Sequence, residues 1–398
     1  MKRFLKKLRT VSIKDLGHIF LFLFALIPAM IMKRKRNKMW LVCEYGQEAR
    51  DNGYWFYKYM REEHPEQDIV YAIDFCAEDY AKVKDLGECI QYGSFKHWIY
   101  YLCAEINISS HKGGKPNAAV CYLLEIYGLL KNKRVFLQHG ITKDDAELFY
   151  YKNTKMRLFI CGAKPEYEFI KEKFGYPIEN VVYTGFARFD HLPKENIDVK
   201  KMILVAPTWR NWLFKVSSNP YENKMDGVES TEYYKKWMHF LQSGRLQEIL
   251  ERYHYELVFF PHRNMTGCFK NIKQIGNNIK CVDWENADIQ VLMKEASCMI
   301  TDYSSTAMDF AYMKKPVIYY QFDEERYRSE HFKKGYFDYK ENGFGAVEVE
   351  EESLFLTLSE MLNKQCRIQP EYEKRIEAFF LLRDNENCKR IYESVIEI

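Results

Sequence analysis

Most of the common functional signatures are missing from this chain of 398 residues. It has no GxxxxGK[ST] loop and no GxGxxG turn, which excludes a P-loop NTPase and a typical dinucleotide enzyme. It has no DxD pair, so the metal-chelating carboxylates of many nucleotide-sugar transferases are absent and no metal site is expected. The eleven cysteines include no CxxC pair and lie at least thirteen positions apart. That spacing excludes a zinc ribbon, and an odd, scattered set excludes a disulfide framework, which leaves buried thiols in a reducing compartment. No internal repeat and no low-complexity linker interrupts the chain.

Positive charge is also lacking where a nucleic-acid binder would need it. Residues 1–38 hold eleven Lys or Arg and one acid, Asp15; the other 360 residues hold 48 basic against 55 acidic side chains. An excess confined to one tail points to an anionic membrane surface, not to nucleic acid. The tail flanks a short apolar run, IFLFLFALIPAMIM (19–32). Fourteen helical residues reach about 21 Å, short of the ~30 Å hydrocarbon core. With Pro28 inside and KRKR directly after, the run reads as a helix lying at the interface, with a spanning helix and a cleaved signal as alternatives.

What the chain does contain is regular alternation. Hydrophobic content is 47% and charged content 29%, as in folded domains. Strand-like runs at 39–45, 68–74, 105–110, 134–138, 157–162 and 180–185 alternate with helical segments. A second series covers 201–210, 256–263, 280–284, 297–302 and 316–322. Helices are expected near 52–64, 118–130, 164–174, 232–253, 287–296 and 305–313. This pattern predicts an α/β protein with two doubly wound, Rossmann-like domains facing across a cleft. The boundaries read as a membrane-anchoring segment at 1–38, domains at 39–195 and 196–369, and a C-terminal helix from 370 to 398. The polar insert at 211–232 is expected to overhang the cleft.

Ligands of such sheets bind beyond the carboxyl ends of the strands, so the residues just after each strand carry the functional information. These are His139 with Gly140; Arg188 and Asp190; Thr208 and Arg210; His262 and Arg263; and Asp302 followed by Ser304, Ser305 and Thr306. His139 is placed to take a proton near neutral pH, and Gly140 allows close backbone approach. Arg210, His262 and Arg263 supply cations suited to phosphate. Thr306 to Asp309 fits a capping box, which explains those two residues without Ser304 and Ser305. Exposed hydroxyls and amides at a helix start also make an anion site, so the block reads as both cap and phosphate cradle.

Taken together, LQHGITKDD (137–145), TGFARFD (184–190), APTWR (206–210), His262 and ITDYSSTAMDFAYMKKPVIYY (300–320) resemble the CDP-glycerol glycerophosphotransferase family of teichoic-acid synthesis. DEERY (323–327) and KKGYFDY (333–339) are similar to the later part of that family's nucleotide site. Two departures stand out: proline precedes His262 and arginine follows it, where His-Pro is usual, and QHGITKDD replaces WHGTPLK. The resemblance implies a two-domain, GT-B type transferase without a cofactor. It implies that CDP-glycerol or a related CDP-polyol is the donor and a lipid-linked saccharide or polyol phosphate the acceptor. It further implies that His139 is the general base, that Arg210, His262 and residues 304–306 hold phosphate, and that the protein sits on the cytoplasmic face of the cell membrane. Three other classes fit parts of the sequence. A nucleotide-sugar glycosyltransferase shares the architecture. An acyltransferase could use the HxxxxD spacing of His139 and Asp144, and a membrane scaffold would need no catalysis.

Overall fold

The computed structural model describes residues 13–130, 132–192, 199–213, 227–269 and 274–398. Two parallel sheets organise the chain, each within its own compact unit. The first unit comprises 1–141, 147–191 and 382–398; the second comprises 142–146 and 192–381. The expected junction at 195/196 lies outside the described residues, as does 214–226, most of the polar insert.

In the first unit β1 (Trp40–Val42), β2 (Ile69–Ile73), β3 (Cys89–Gln91), β4 (Ile106–Ser109), β5 (Lys133–Phe136), β6 (Leu158–Cys161) and β7 (Val181–Tyr183) pair in the order β3-β2-β1-β4-β5-β6-β7. Every pairing is parallel. All five residues of β2, IVYAI, are buried, as a strand covered on both faces requires. The second unit holds β8 (Met202–Val205), β9 (Glu256–Phe259), β10 (Gln274–Gly276), β11 (Ile279–Cys281), β12 (Cys298–Thr301), β13 (Val317–Tyr320) and β14 (Gly345–Glu348). Their order is β10-β11-β9-β8-β12-β13-β14, parallel except for β10 with β11. Trp237, Phe240, Phe259 and Tyr320 centre its core. In both sheets the first strand in sequence lies mid-sheet, with its successors running away in opposite directions. This creates a topological switch point between β1 and β4, and another between β8 and β12.

Three of the expected elements take a different form, and β3, β10, β14 and the helices Phe95–Cys103 and Glu351–Asn363 have no counterpart in the sequence reading. The N-terminal helix α1 (Ile13–Lys35) has 23 residues, about 34 Å, because polar residues on both sides of the apolar run join it. One side of α1 packs on the first unit through Ala25 and Ala29, with Phe22 edge-on to Trp98 and Trp98 Nε1 donating to His18 Nδ1 at 3.0 Å. The other side leaves Phe20, Phe24, Ile27 and Met30 exposed. The helix expected over 232–253 is two, Glu232–Gln242 and Gly244–Tyr253, broken where Ser243 takes an extended conformation. The C-terminal segment is likewise two helices. Pro370–Phe379 belongs to the second unit and Asn387–Ile396 to the first, and between them Asn385 adopts a left-handed conformation (φ 64°).

Candidate active site

In the first unit the candidate residues gather at the ends of β1, β4 and β5. Glu44, just beyond β1, is wholly buried. Its carboxylate accepts the amides of Arg50 (3.1 Å), Asp51 (3.3 Å) and Tyr54 (3.0 Å), and the Ser110 hydroxyl (3.1 Å). It therefore fills the N-terminus of α2 (Asn52–Glu63), where an anionic ligand would otherwise dock. Burial, with Asp51 adding to it, pushes the Glu44 pKa up to about 8 against the opposing amide bonds. A side chain on Gly53 would put its Cβ 2.9 Å from Glu44 Cγ, so glycine is required there.

Asp51 caps α2 by accepting the Asn52 amide at 2.7 Å, and it pairs with Arg188 Nη1 at 2.8 Å. Its other oxygen lies 3.5 Å from His111 Nε2, and Glu48 approaches the same nitrogen at 3.9 Å. The His111 ring stacks on Tyr45 (4.2 Å) and on His139 (4.9 Å). Gln138, immediately before His139, takes a left-handed backbone (φ 59°), which is costly for a residue other than glycine. Its side chain fixes that turn by donating to the Ile160 carbonyl (2.6 Å) and Glu166 (3.0 Å), while Asn52 Nδ2 donates to its carbonyl (2.7 Å). The turn carries His139 outward, with part of the residue reaching solvent. Desolvation by the surrounding protein holds its pKa below the ordinary 6.5; Asp51 and the Ser110 backbone oppose the shift and Arg188 adds to it.

In the second unit the candidate residues gather at the β8/β12 switch point. Asp302 ties the two strand ends together, accepting the Thr208 amide (2.7 Å) and the Tyr303 amide (2.6 Å). Arg210 is fully enclosed. Its guanidinium meets Asp302 at 2.8 Å and grips Asp323 through Nε (2.8 Å) and Nη2 (3.0 Å), and Nη1 donates to the Thr208 carbonyl (2.7 Å). The rings of Tyr233, Tyr303 and Tyr327 lie 4.9–5.2 Å from it. Arg210, expected to hold phosphate, is thus the buried hub of a carboxylate and tyrosine cage, its charge consumed by Asp302 and Asp323.

Ser304, Ser305 and Thr306 are half-buried at the start of helix α3 (Thr306–Tyr312). The N-cap is Ser305, without a side-chain cap bond, so the expected Thr306–Asp309 capping box does not form. Thr306 already lies within the first turn, and its amide donates to Ser304 Oγ at 3.3 Å. Asp309 is buried. Half-buried His262 and Arg263 follow β9, and the His262 ring stacks over Trp209 at 6.1 Å. Asp190 serves the fold: its carboxylate accepts the Asn387 amide (3.0 Å), Asn387 Nδ2 (2.6 Å) and the Cys388 amide (2.8 Å), fastening the last helix. Asp144 is buried against Lys143 and Arg328 in the second unit, which takes it out of an HxxxxD dyad.

The first unit therefore brings together His139, Gly140 and Arg188, and the second Thr208, Arg210, Asp302, residues 304–306, His262 and Arg263. Sequence reasoning missed Glu44, Glu48, Asp51 and His111 in the first unit, and Asp323 and His331 in the second. The signal for Glu44, Glu48 and His111 was available: they follow β1 and β4, the strands that flank the switch point.

The sequence profile of the CDP-glycerol:poly(glycerophosphate) glycerophosphotransferase family matches residues 25–397. The minor teichoic acid biosynthesis protein GgaB of Bacillus subtilis (strain 168) is 32% identical over 375 residues, covering 91% of this chain and 40% of that protein. A teichoic acid poly(glycerol phosphate) polymerase of Staphylococcus epidermidis (strain ATCC 35984) is 22% identical over 359 residues, covering 84% of this chain and 46% of the relative. The chain thus spans less than half the length of these curated relatives. Among solved structures, the wall teichoic acid polymerase TagF superposes with a TM-score of 0.61 at 17% identity, over 90% of this chain and 88% of that one. A variant of that polymerase has been solved after a soak with CDPG.

Proposed function

The chain belongs to the CDP-glycerol:poly(glycerophosphate) glycerophosphotransferase family, and from that premise we propose that it transfers glycerol phosphate, or another polyol phosphate, from a CDP-activated donor to a hydroxyl of a membrane-linked acceptor. The acceptor oxygen attacks the β-phosphorus and forms a phosphodiester. The bond from that phosphorus to the bridging oxygen breaks, and CMP leaves with the electron pair. His139 takes the acceptor proton. His262, Arg263 and the hydroxyls of Ser304, Ser305 and Thr306 hold phosphate oxygens, while Arg210, caged by Asp302 and Asp323, keeps the switch-point loops in place.

The observation that carries this reading is the presentation of His139. A strained turn at Gln138 and a depressed pKa leave His139 a neutral base with access to solvent. The occupied N-terminus of α2 supports the same division of labour, because Glu44 already fills the phosphate position of the first unit. α1 supports a location at the membrane. Its Ala25/Ala29 side is packed against protein, which favours a helix lying in the membrane plane, and the family reading puts the protein on the cytoplasmic face. Phe20, Phe24, Ile27 and Met30 enter the acyl region, and Lys33, Arg34 and Lys35 face anionic headgroups. The test is CMP release from CDP-glycerol in the presence of acceptor. His139→Ala should lower the rate by about 10²–10⁴; a variant as fast as wild type refutes the base.

A further inference from the structure

A second imidazole in the second unit has no part in the reaction just described. His331 follows helix α4 (Glu324–Glu330), its ring against Tyr327 (4.8 Å) and edge-on to Trp209 (4.9 Å). Its Nδ1 accepts the Asn211 amide proton at 2.9 Å, so in the neutral ring the proton sits on Nε2. That Nε2–H is sealed from solvent and meets no acceptor among the described residues. The Thr208 hydroxyl, one residue before Trp209, is in the same condition. Buried donors left this way are rare in folded proteins and call for a partner.

The surroundings narrow the choice of partner. Thr208 opens the loop after β8, on the switch point, and its amide is held by Asp302 from the loop after β12. The nearby cations are already paired: Arg210 with Asp302 and Asp323, Arg328 and Lys143 together with Asp144. The His331 and Thr208 donors are neutral ones. Burial, reinforced by Arg210, Lys143 and His262 and opposed by Asp144, drives the His331 pKa down to about 3, so the ring stays a neutral donor throughout the physiological range.

We propose that His331 is a ligand-contacting residue whose Nε2–H, with the Thr208 hydroxyl, donates to a phosphoryl oxygen of a nucleoside diphosphate ester. This rests on the transferase reading above and adds a recognition element to it. Two fixed neutral donors select for the position of an oxygen, where a lysine would act as a point charge.

The test is calorimetric titration of CDP into wild type, His331→Phe, His331→Gln and Thr208→Val, with thermal unfolding of each. Phenylalanine keeps the ring stacking and removes the donor; glutamine restores an N–H; valine removes only the hydroxyl. The expected result is about ten-fold or greater weakening in His331→Phe, as for loss of a hydrogen bond to a charged group, and weakening in Thr208→Val. Recovery in His331→Gln and unchanged melting temperatures complete the expectation. Equal affinity in wild type, His331→Phe and Thr208→Val overturns the inference and assigns the donors to bound water. Weak binding in every His331 variant that tracks a fall in melting temperature overturns it too, as a structural role. Failure of wild type to bind CDP instead overturns the transferase reading itself.

Discussion

Replacing Arg210 by alanine leaves Asp302 and Asp323 buried without their counter-charge and removes the cation enclosed by three tyrosine rings. Breaking a buried pair in this way costs about 3–5 kcal/mol, so denaturant unfolding of Arg210→Ala at neutral pH should show a loss of that size. A surface phosphate ligand would instead weaken CDP binding and leave stability intact. Glu44 gives a prediction with a pH sign. Its folded pKa of about 8 lies above the ordinary 4.5, so the native state holds a proton that the unfolded chain has lost. Stability should therefore fall as pH rises between about 4.5 and 8, by roughly 1.4 kcal/mol per pH unit for one group, and level off above that. Glu44→Gln should flatten the slope; an unchanged slope would show that the four donors keep Glu44 ionised. At this scale the sequence showed which residues follow each strand but not how they are used. Arg210 and Asp323 are 113 positions apart, and nothing local announces that they form one cage.

Among the elements, most strands were legible because buried parallel strands are short, apolar and bounded by turns; the short strands β3, β10 and β14 and the order within each sheet were not. The ends of helices were also less legible. The capping-box pattern at Thr306–Asp309 is genuine as a pattern, but the Ser304 hydroxyl takes the Thr306 amide and the helix starts one residue earlier than the box requires. The length of α1 was underestimated for a related reason: apolarity marks the exposed side, whereas helix continuity depends on the packing of the other side by His18, Ala25 and Ala29. That asymmetry yields a prediction for the element as a whole. Phe20→Asp with Phe24→Asp changes only the exposed face, so binding to vesicles containing anionic lipid should drop by more than ten-fold with the fold unchanged by circular dichroism. Added salt should weaken what remains. Retention on vesicles at wild-type levels would remove α1 from membrane attachment.

For the whole molecule, the two-sheet α/β architecture was readable from alternation, and the family from motifs that lie at strand ends. The assignment of chain to unit was not, because 142–146 and 382–398 each belong with the unit distant from them in sequence. Packing of non-local segments decides that, and periodicity does not report it. The family membership and the two switch-point clusters together set the central claim, a CDP-polyol phosphotransferase and not a nucleotide-sugar glycosyltransferase of similar architecture. The most direct measurement incubates the protein with a lipid-linked saccharide acceptor and either CDP-glycerol or a UDP-sugar, then identifies the released nucleotide and the product by mass spectrometry. The account predicts CMP from CDP-glycerol and an acceptor heavier by glycerol phosphate, with no UDP released from the sugar donor; UDP release with sugar addition, and none from CDP-glycerol, would contradict it.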